Sequence, residues 1–390
     1  SELLLDKEKY TGLIQHLKER PSELARKLDL IVSKSSPAIS NNAVKNFGNV
    51  IGNISTPVLL QVMANFRIRA SKDKSIRMVM PKGTVAKMQV MDEKREPMKK
   101  SISKKVVSLV KDELKNRFGK LPEMGKVFSD ENLENYVVPF SQRSASKALF
   151  TIPRGSQIPL PEEKTLRMFT YWKENGERID LDLSAVMFDK DFNYVEHISY
   201  TNYHGRDGYK ATHSGDITSA PNGASEFIDI DVESILKYGG RYVVMNLLSY
   251  TEQPFINFDA CFAGVMGRDK AKSGEIYEPK TVKHKFDITA DSKIVIPMIL
   301  DLEERKLIWC DLSLKKKGRY NNVEYNSENI KRVLMAMVEM NNHKPNIHEL
   351  LYIHAKSRGK ITKNKEKADI VFDETNIPFE SDSIVGKYLV

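Results

Sequence analysis

Apolar positions recur at helical spacing through the first third of the chain and at alternate positions through the middle. Tyr10, Leu13, Ile14 and Leu17 share one helical face, and Leu24, Leu28, Ile31 and Val32 share another that opens after Pro21-Ser22. The spacing predicts a third helix from Asn42 to Ile51 and a fourth from Pro57 through Leu60, Met63 and Phe66. Successive amphipathic helices with short connections suggest a bundle or a short solenoid, and no fixed-period repeat supports the solenoid. Apolar residues on both sides of Pro81-Lys82-Gly83 predict two short strands joined by a turn. A longer helix is expected from Pro97 to Phe118. Val106, Val107, Val110, Leu114 and Phe118 line one side of it, and Lys104, Lys105, Lys111 and Lys115 the other.

From Thr165 the period drops to two. Leu166–Trp172, Ile179–Ser184, Phe227–Val232, Tyr242–Leu248, Phe262–Met266, Lys293–Leu300 and Leu307–Leu312 read as strands. Turn residues separate them, at Asp189–Asn193 and Glu303–Lys306 among other places. Seven or more such strands indicate a β-sandwich. After Lys317 helical spacing returns, with Ile330, Val333, Leu334 and Met337 on one stripe and Ile347, Leu350, Leu351 and His354 on the next. A strand at Ala368–Asp373 and a terminal helix at Ile384–Leu389 complete the expectation. The fold class is multidomain α+β: a basic helical domain over residues 1–160, an antiparallel β-sandwich over 161–316, and a small α/β appendage over 317–390.

Composition changes this picture in one respect. The chain has 390 residues, 41% hydrophobic and 29% charged, which is ordinary for globular domains. Its net charge of +9 is unevenly spread. Residues 1–150 hold 28 Lys+Arg against 16 Asp+Glu, and the remainder is mildly acidic. The excess suggests a polyanion such as RNA or DNA as partner, or simply a solubilising lysine surface. Arg67, Arg69, Lys82 and Lys87 form the densest basic stretch. Arg143 and Lys147 sit in a second segment, Pro139–Gly155, rich in hydroxyl, amide and guanidinium donors. That segment serves equally well as a polar connection that caps helices. Two cysteines exclude a disulfide framework or a cysteine-rich zinc site, and no apolar run is long enough for membrane insertion, so a cytoplasmic location is expected.

The candidate chemistry lies between Arg178 and Val232. In Ile179-Asp180-Leu181-Asp182-Leu183-Ser184, strict alternation puts Asp180, Asp182 and Ser184 on one strand face, expected to be wet. A connector through Asn202 leads to His213-Ser214-Gly215-Asp216, a glycine-containing loop, and Glu226 ahead of a second acidic strand. The physical reading is an oxygen-ligand metal site or a docking edge.

These residues resemble the TerD family, bacterial tellurium-resistance and stress-response proteins with a calcium-binding β-sandwich. The resemblance spans roughly Glu163 to Leu314. Ser55–Gln61 and Pro139–Lys147 look like larger members with a helical region before that domain. It implies a TerD-like sandwich, calcium as cofactor, Asp180, Asp182, Asp216 and Glu226 as ligands with Asn202 as a neighbour, and other stress-response proteins as partners. The loop departs from the family pattern: Ile217, Ala220, Pro221 and Ala224 offer no side-chain oxygen. A weakened or lost site is therefore expected.

Enzyme signatures are missing. His348-Glu349 lacks the second histidine of HExxH, since Tyr352 stands there, and Asp189–Asn193 lacks the glycine of an EF-hand because Tyr194 follows. No GxSxG or GxGxxG motif occurs. The function expected is a non-enzymatic stress-response binding or scaffold protein. The alternatives are a nucleic-acid-binding protein acting through residues 1–160, or an enzyme with a site between domains that leaves no contiguous motif.

Overall fold

A computed structural model describes residues 7–71, 76–79, 88–140, 152–206, 209–274, 282–314, 323–375 and 381–390. Four helices open the chain: α1 (Lys7–Lys18), α2 (Pro21–Lys34), α3 (Pro37–Val50) and α4 (Thr56–Arg69). Three of them begin on a proline in the first turn, where the missing N–H costs nothing and the fixed φ suits the helix. Each buries its apolar stripe, α2 through Leu24, Leu28, Ile31 and Val32. Strands β1 (Ile76–Val79) and β2 (Gln89–Asp92) pair, and the strand expected directly after Pro81-Lys82-Gly83 lies outside the described residues. Next come α5 (Lys100–Phe118) and β3 (Lys126–Ser129).

Eleven strands follow. They are β4 (Gln157–Pro159), β5 (Thr165–Lys173), β6 (Leu181–Phe188), β7 (Tyr194–Ile198), β8 (Ala211–His213), β9 (Ala224–Asp231), β10 (Tyr242–Ser249), β11 (Ala260–Arg268), β12 (Val282–Asp287), β13 (Ile294–Asp301) and β14 (Lys306–Ser313), with the short helix α6 (Val232–Lys237) after β9. They form two antiparallel sheets, in the orders β4-β14-β13-β10-β6-β7 and β12-β11-β5-β9-β8. The chain ends with α7 (Val323–His343), α8 (Ile347–Arg358), β15 (Lys360–Ile361), β16 (Ile370–Phe372) and α9 (Ser381–Tyr388).

The compact units differ from the expected three domains. One gathers Ser1–Ser75, Asp92–Gln142 and Met340–Val390, and the other gathers Ile76–Met91 and Arg143–Glu339. From Met340 onward the expected appendage belongs to the helical unit, where β3 sits between β15 and β16 in a parallel sheet, a long-range pairing with no local signal. Within that unit α5 packs on α4 and α8, and His354 of α8 stacks on Phe118 with ring centroids 3.5 Å apart.

In the other unit Trp172, Leu166 and Met168 of β5 and Ile228 and Ile230 of β9 are fully buried. The Trp172 indole N–H donates to the carbonyl of Ile179, tying the start of β6 to β5. Strand β6 runs between β7 and β10, and all eight of its residues are buried. Its acidic face is therefore not wet. Asp180, Asp182 and Ser184 are 5%, 4% and 4% exposed, and the loop bearing Asp216, tied down by Arg178, lies against the two aspartates.

Candidate metal centre

The site forms where β6 runs past the end of β7. Strand β7 pairs with β6 only from Ala185 onward, so the backbone of Leu183 lacks a strand on that side. The other sheet supplies what is missing. Glu226 of β9 accepts the Leu183 N–H at 3.0 Å, and His213 of β8 lies with Nε2 at 3.0 Å from the Leu183 carbonyl. His213 Nδ1 accepts from the Gly215 N–H, which leaves Nε2 as the nitrogen that carries the proton. Burial lowers the pKa of this imidazole, consistent with a neutral ring.

The loop after β8 is pinned at two points. The second Glu226 oxygen accepts from the Ile217 N–H at 2.9 Å. Glu174 accepts from the N–H groups of Ala220 and Ile179 and from the Ser219 hydroxyl, and those bonds, Ala220 first, lower its pKa. Gly223 closes the loop with φ +87°, and a Cβ there would come within 2.1 Å of the Tyr171 hydroxyl, so only glycine fits. Arg178 crosses the opening, donating to the Thr218 carbonyl and to Asp180 Oδ2 at 3.2 Å.

This framework carries Asp216 to the start of β6. One carboxylate oxygen from each of Asp180, Asp182 and Asp216 lies within 4.8 Å of the others. Oxygens that close together can all reach a single metal ion. The electrostatics point the same way. Burial, then Asp180 and Asp216, push the Asp182 carboxyl up to about 8, and its Oδ2 is buried with no hydrogen-bond partner. Asp180 is raised by burial and by Asp216, with Arg178 opposing. Tyr200, beside Asp182, is pushed up to about 12, chiefly by burial.

The sequence-derived ligands separate at this point. Asp180, Asp182 and Asp216 come together. Glu226 lies beside them with both oxygens engaged by backbone N–H groups; burial pushes it up to about 8 against those bonds, which favour its carboxylate. Asn202 is turned away, its amide donating to the His197 carbonyl and to Glu196, while its backbone closes the turn that carries Tyr200. Sequence reasoning missed Glu174 and the bridging role of Arg178, whose partners in the loop lie 40 or more residues away. Asp189, the imitation EF-hand acid, caps its own hairpin by accepting from Asp191 and Asn193.

The basic candidates fare differently. Arg69 is 2% exposed and is bound by Asp29, Ser33 and the Glu96 carbonyl, which removes it from any anion-binding surface. Arg67 pairs with Glu349. Lys82, Lys87, Arg143 and Lys147 lie outside the described residues. Arg154 donates to the carbonyls of Cys310 and Asp311.

No family model matches this sequence, and no curated protein does. Solved structures similar to it include a homologue of telluride resistance protein (TerD) from Streptomyces coelicolor A3(2), at 10% identity and a TM-score of 0.33. That match covers 46% of this chain and 98% of the other. A protein of unknown function, SAV2460, is similar at 13% identity and a TM-score of 0.30, covering 40% of this chain and 94% of its own. Among the described residues, no helix is long and apolar enough to cross a membrane.

Proposed function

We propose that the sandwich is a calcium-responsive binding module, with Asp180, Asp182 and Asp216 as its protein ligands. The observation that carries the reading is the orphaned Asp182 Oδ2, buried beside two further carboxylates and without a hydrogen-bond partner among the described residues. A buried, unpaired carboxylate is costly, and a bound divalent ion relieves that cost together with the repulsion among the three acids. Three aspartates supply fewer than the six to eight oxygens calcium takes, so water completes the shell and the affinity is modest. The sequence resemblance supports a role for such a module in stress response, and we read it there as a binding or scaffold protein.

Calcium in the millimolar range should raise the melting temperature of the full chain, because a ligand that binds only the folded state stabilises it. Asp216→Ala should abolish the rise while leaving the chelated protein folded. A melting curve that calcium does not move in the unsubstituted protein would sink the proposal.

A further inference from the structure

We infer that the exposed face of α5 binds the phosphate backbone of duplex nucleic acid. The helix buries Val106, Val110, Leu114 and Phe118 and leaves Lys99, Lys100, Lys104, Lys105 and Lys115 exposed, with Lys111 half-buried. Asp112 answers only Lys115, at 3.6 Å, and Glu113 is taken by Arg117. Among the described residues, Lys99, Lys100, Lys104, Lys105 and Lys111 form no ion pair.

The placement of these lysines opposes the helix's own stability. The first turn of α5 holds no acidic residue, and cations at the N-terminal end face the positive end of the helix dipole. A surface meant only for solubility gains more from carboxylates than from lysines. Ammonium groups retained at the unfavourable end fit a face that meets an anion. Lys100, Lys104, Lys111 and Lys115 fall on one row, about 22 Å long at 1.5 Å per residue. A duplex offers one phosphate about every 3.4 Å along each strand, so this row reaches several at once.

The surroundings select the partner. An amphipathic helix that enters a lipid surface must offer its apolar side, and that side of α5 is packed against α4 and α8. Single-stranded nucleic acid is held by exposed aromatic rings, whereas the one aromatic residue of α5, Phe118, is buried. What remains is contact with a backbone of regularly spaced phosphates, without base readout.

The test uses the full chain and a fluorescein-labelled 20-base-pair duplex of mixed sequence, followed by anisotropy between 50 and 200 mM NaCl. Neutralising about four phosphates should weaken binding roughly 100-fold across that range. Replacing Lys100, Lys104, Lys105 and Lys111 together by glutamine should weaken binding at least tenfold at 50 mM, cut the salt slope by more than half, and leave the fold intact by circular dichroism. Should that variant fail to fold, Lys104→Gln with Lys105→Gln carries the test, expected to weaken binding several-fold. A control removes as much charge elsewhere, through glutamine at Lys237, Lys270, Lys356 and Lys363, all exposed; it should bind as the parent does. Equal losses in the two quadruple variants would overturn the assignment to α5. No binding at 50 mM would overturn the partner, as would α5-dependent retention on phosphatidylserine vesicles without retention on the duplex.

Discussion

Two aspartates on strands of the same sandwich are buried to nearly the same degree and are treated in opposite ways. Asp229 of β9 is 1% exposed and receives both arms of Arg167, at 2.7 and 2.8 Å, together with the backbone N–H of Lys272. The guanidinium lies 3.8 Å from the centre of the Phe227 ring, so the cation is also sheltered on that side. Asp182 of β6 is 4% exposed, keeps one oxygen without a partner, and has Asp180 and Asp216 for neighbours. A carboxylate whose counter-charge is built into the chain belongs to the architecture. One beside like charges, with an oxygen that has no hydrogen-bond partner, is what the proposed metal site requires.

The largest effect expected from this contrast is at the satisfied corner. Arg167→Ala leaves Asp229 buried and unanswered, which costs about 3–5 kcal/mol of unfolding free energy. Calcium should not restore any of it. Denaturant unfolding with and without calcium checks both points, and a loss below ~1 kcal/mol would mean that Asp229 is as poorly compensated as Asp182.

A third buried ionisable group, in the helical unit, lies between these extremes. His354 is fully buried, stacks on Phe118 and meets the Tyr388 carbonyl through Nε2, while Nδ1 has no partner. Burial, first among the causes, depresses its pKa to about 4. The unfolded chain, with a pKa of about 6.5, therefore binds more protons than the native state between those values. Stability should be whole above about pH 6.5 and fall as the pH drops towards 4, by about 3 kcal/mol at most. His354→Phe keeps a ring against Phe118 and removes the titration, so its melting temperature should fall less than the parent's between pH 7 and 4.5. Parallel falls in the two proteins would show that His354 is not protonated on unfolding.

At Asp182 the expected change has the other sign. Asp182→Asn removes a carboxyl whose ionisation burial and its acidic neighbours oppose, so the chelated protein should become more stable, by about 1–2 kcal/mol. The same change should abolish the calcium-induced rise in melting temperature. A substitution that destabilises the chelated protein would make Asp182 an architectural residue like Asp229.

The contrast also marks how far the sequence could be read. Helices α2 to α5 follow from prolines and repeating leucines and valines, and the long strands from alternation, because both signals lie within a few residues. Asp180, Asp182 and Asp216 were legible because strand spacing and a glycine-containing loop mark them. Their burial was not, since alternation reports one wet face and is silent about a neighbouring strand, turn or loop that covers it. Arg69 misled for the same reason: it looks like part of a basic run, and only Asp29, 40 residues earlier, turns it inward. The tail's return to β3 and the hold of Glu174 on the loop are long-range pairings between residues that look ordinary in isolation.

The smallest effect separates a ligand from a residue that places one. Glu226 sits beside the three aspartates, yet each of its oxygens accepts a backbone N–H, one from Leu183 at 3.0 Å and one from Ile217 at 2.9 Å. Those bonds join the loop that bears Asp216 to the strand that bears Asp182, so in the proposed site Glu226 would act on a cation only through the aspartates. Glu226→Gln keeps the shape but offers one acceptor oxygen where two were used, leaving an N–H facing an amide NH2. The strain falls on the loop, and calcium affinity should drop about fivefold, or about 1 kcal/mol. Asp216→Asn removes a ligand charge and should cost far more. Isothermal titration of both variants decides the matter. Equal losses would make Glu226 a ligand in its own right, with its backbone bonds given up when the cation enters.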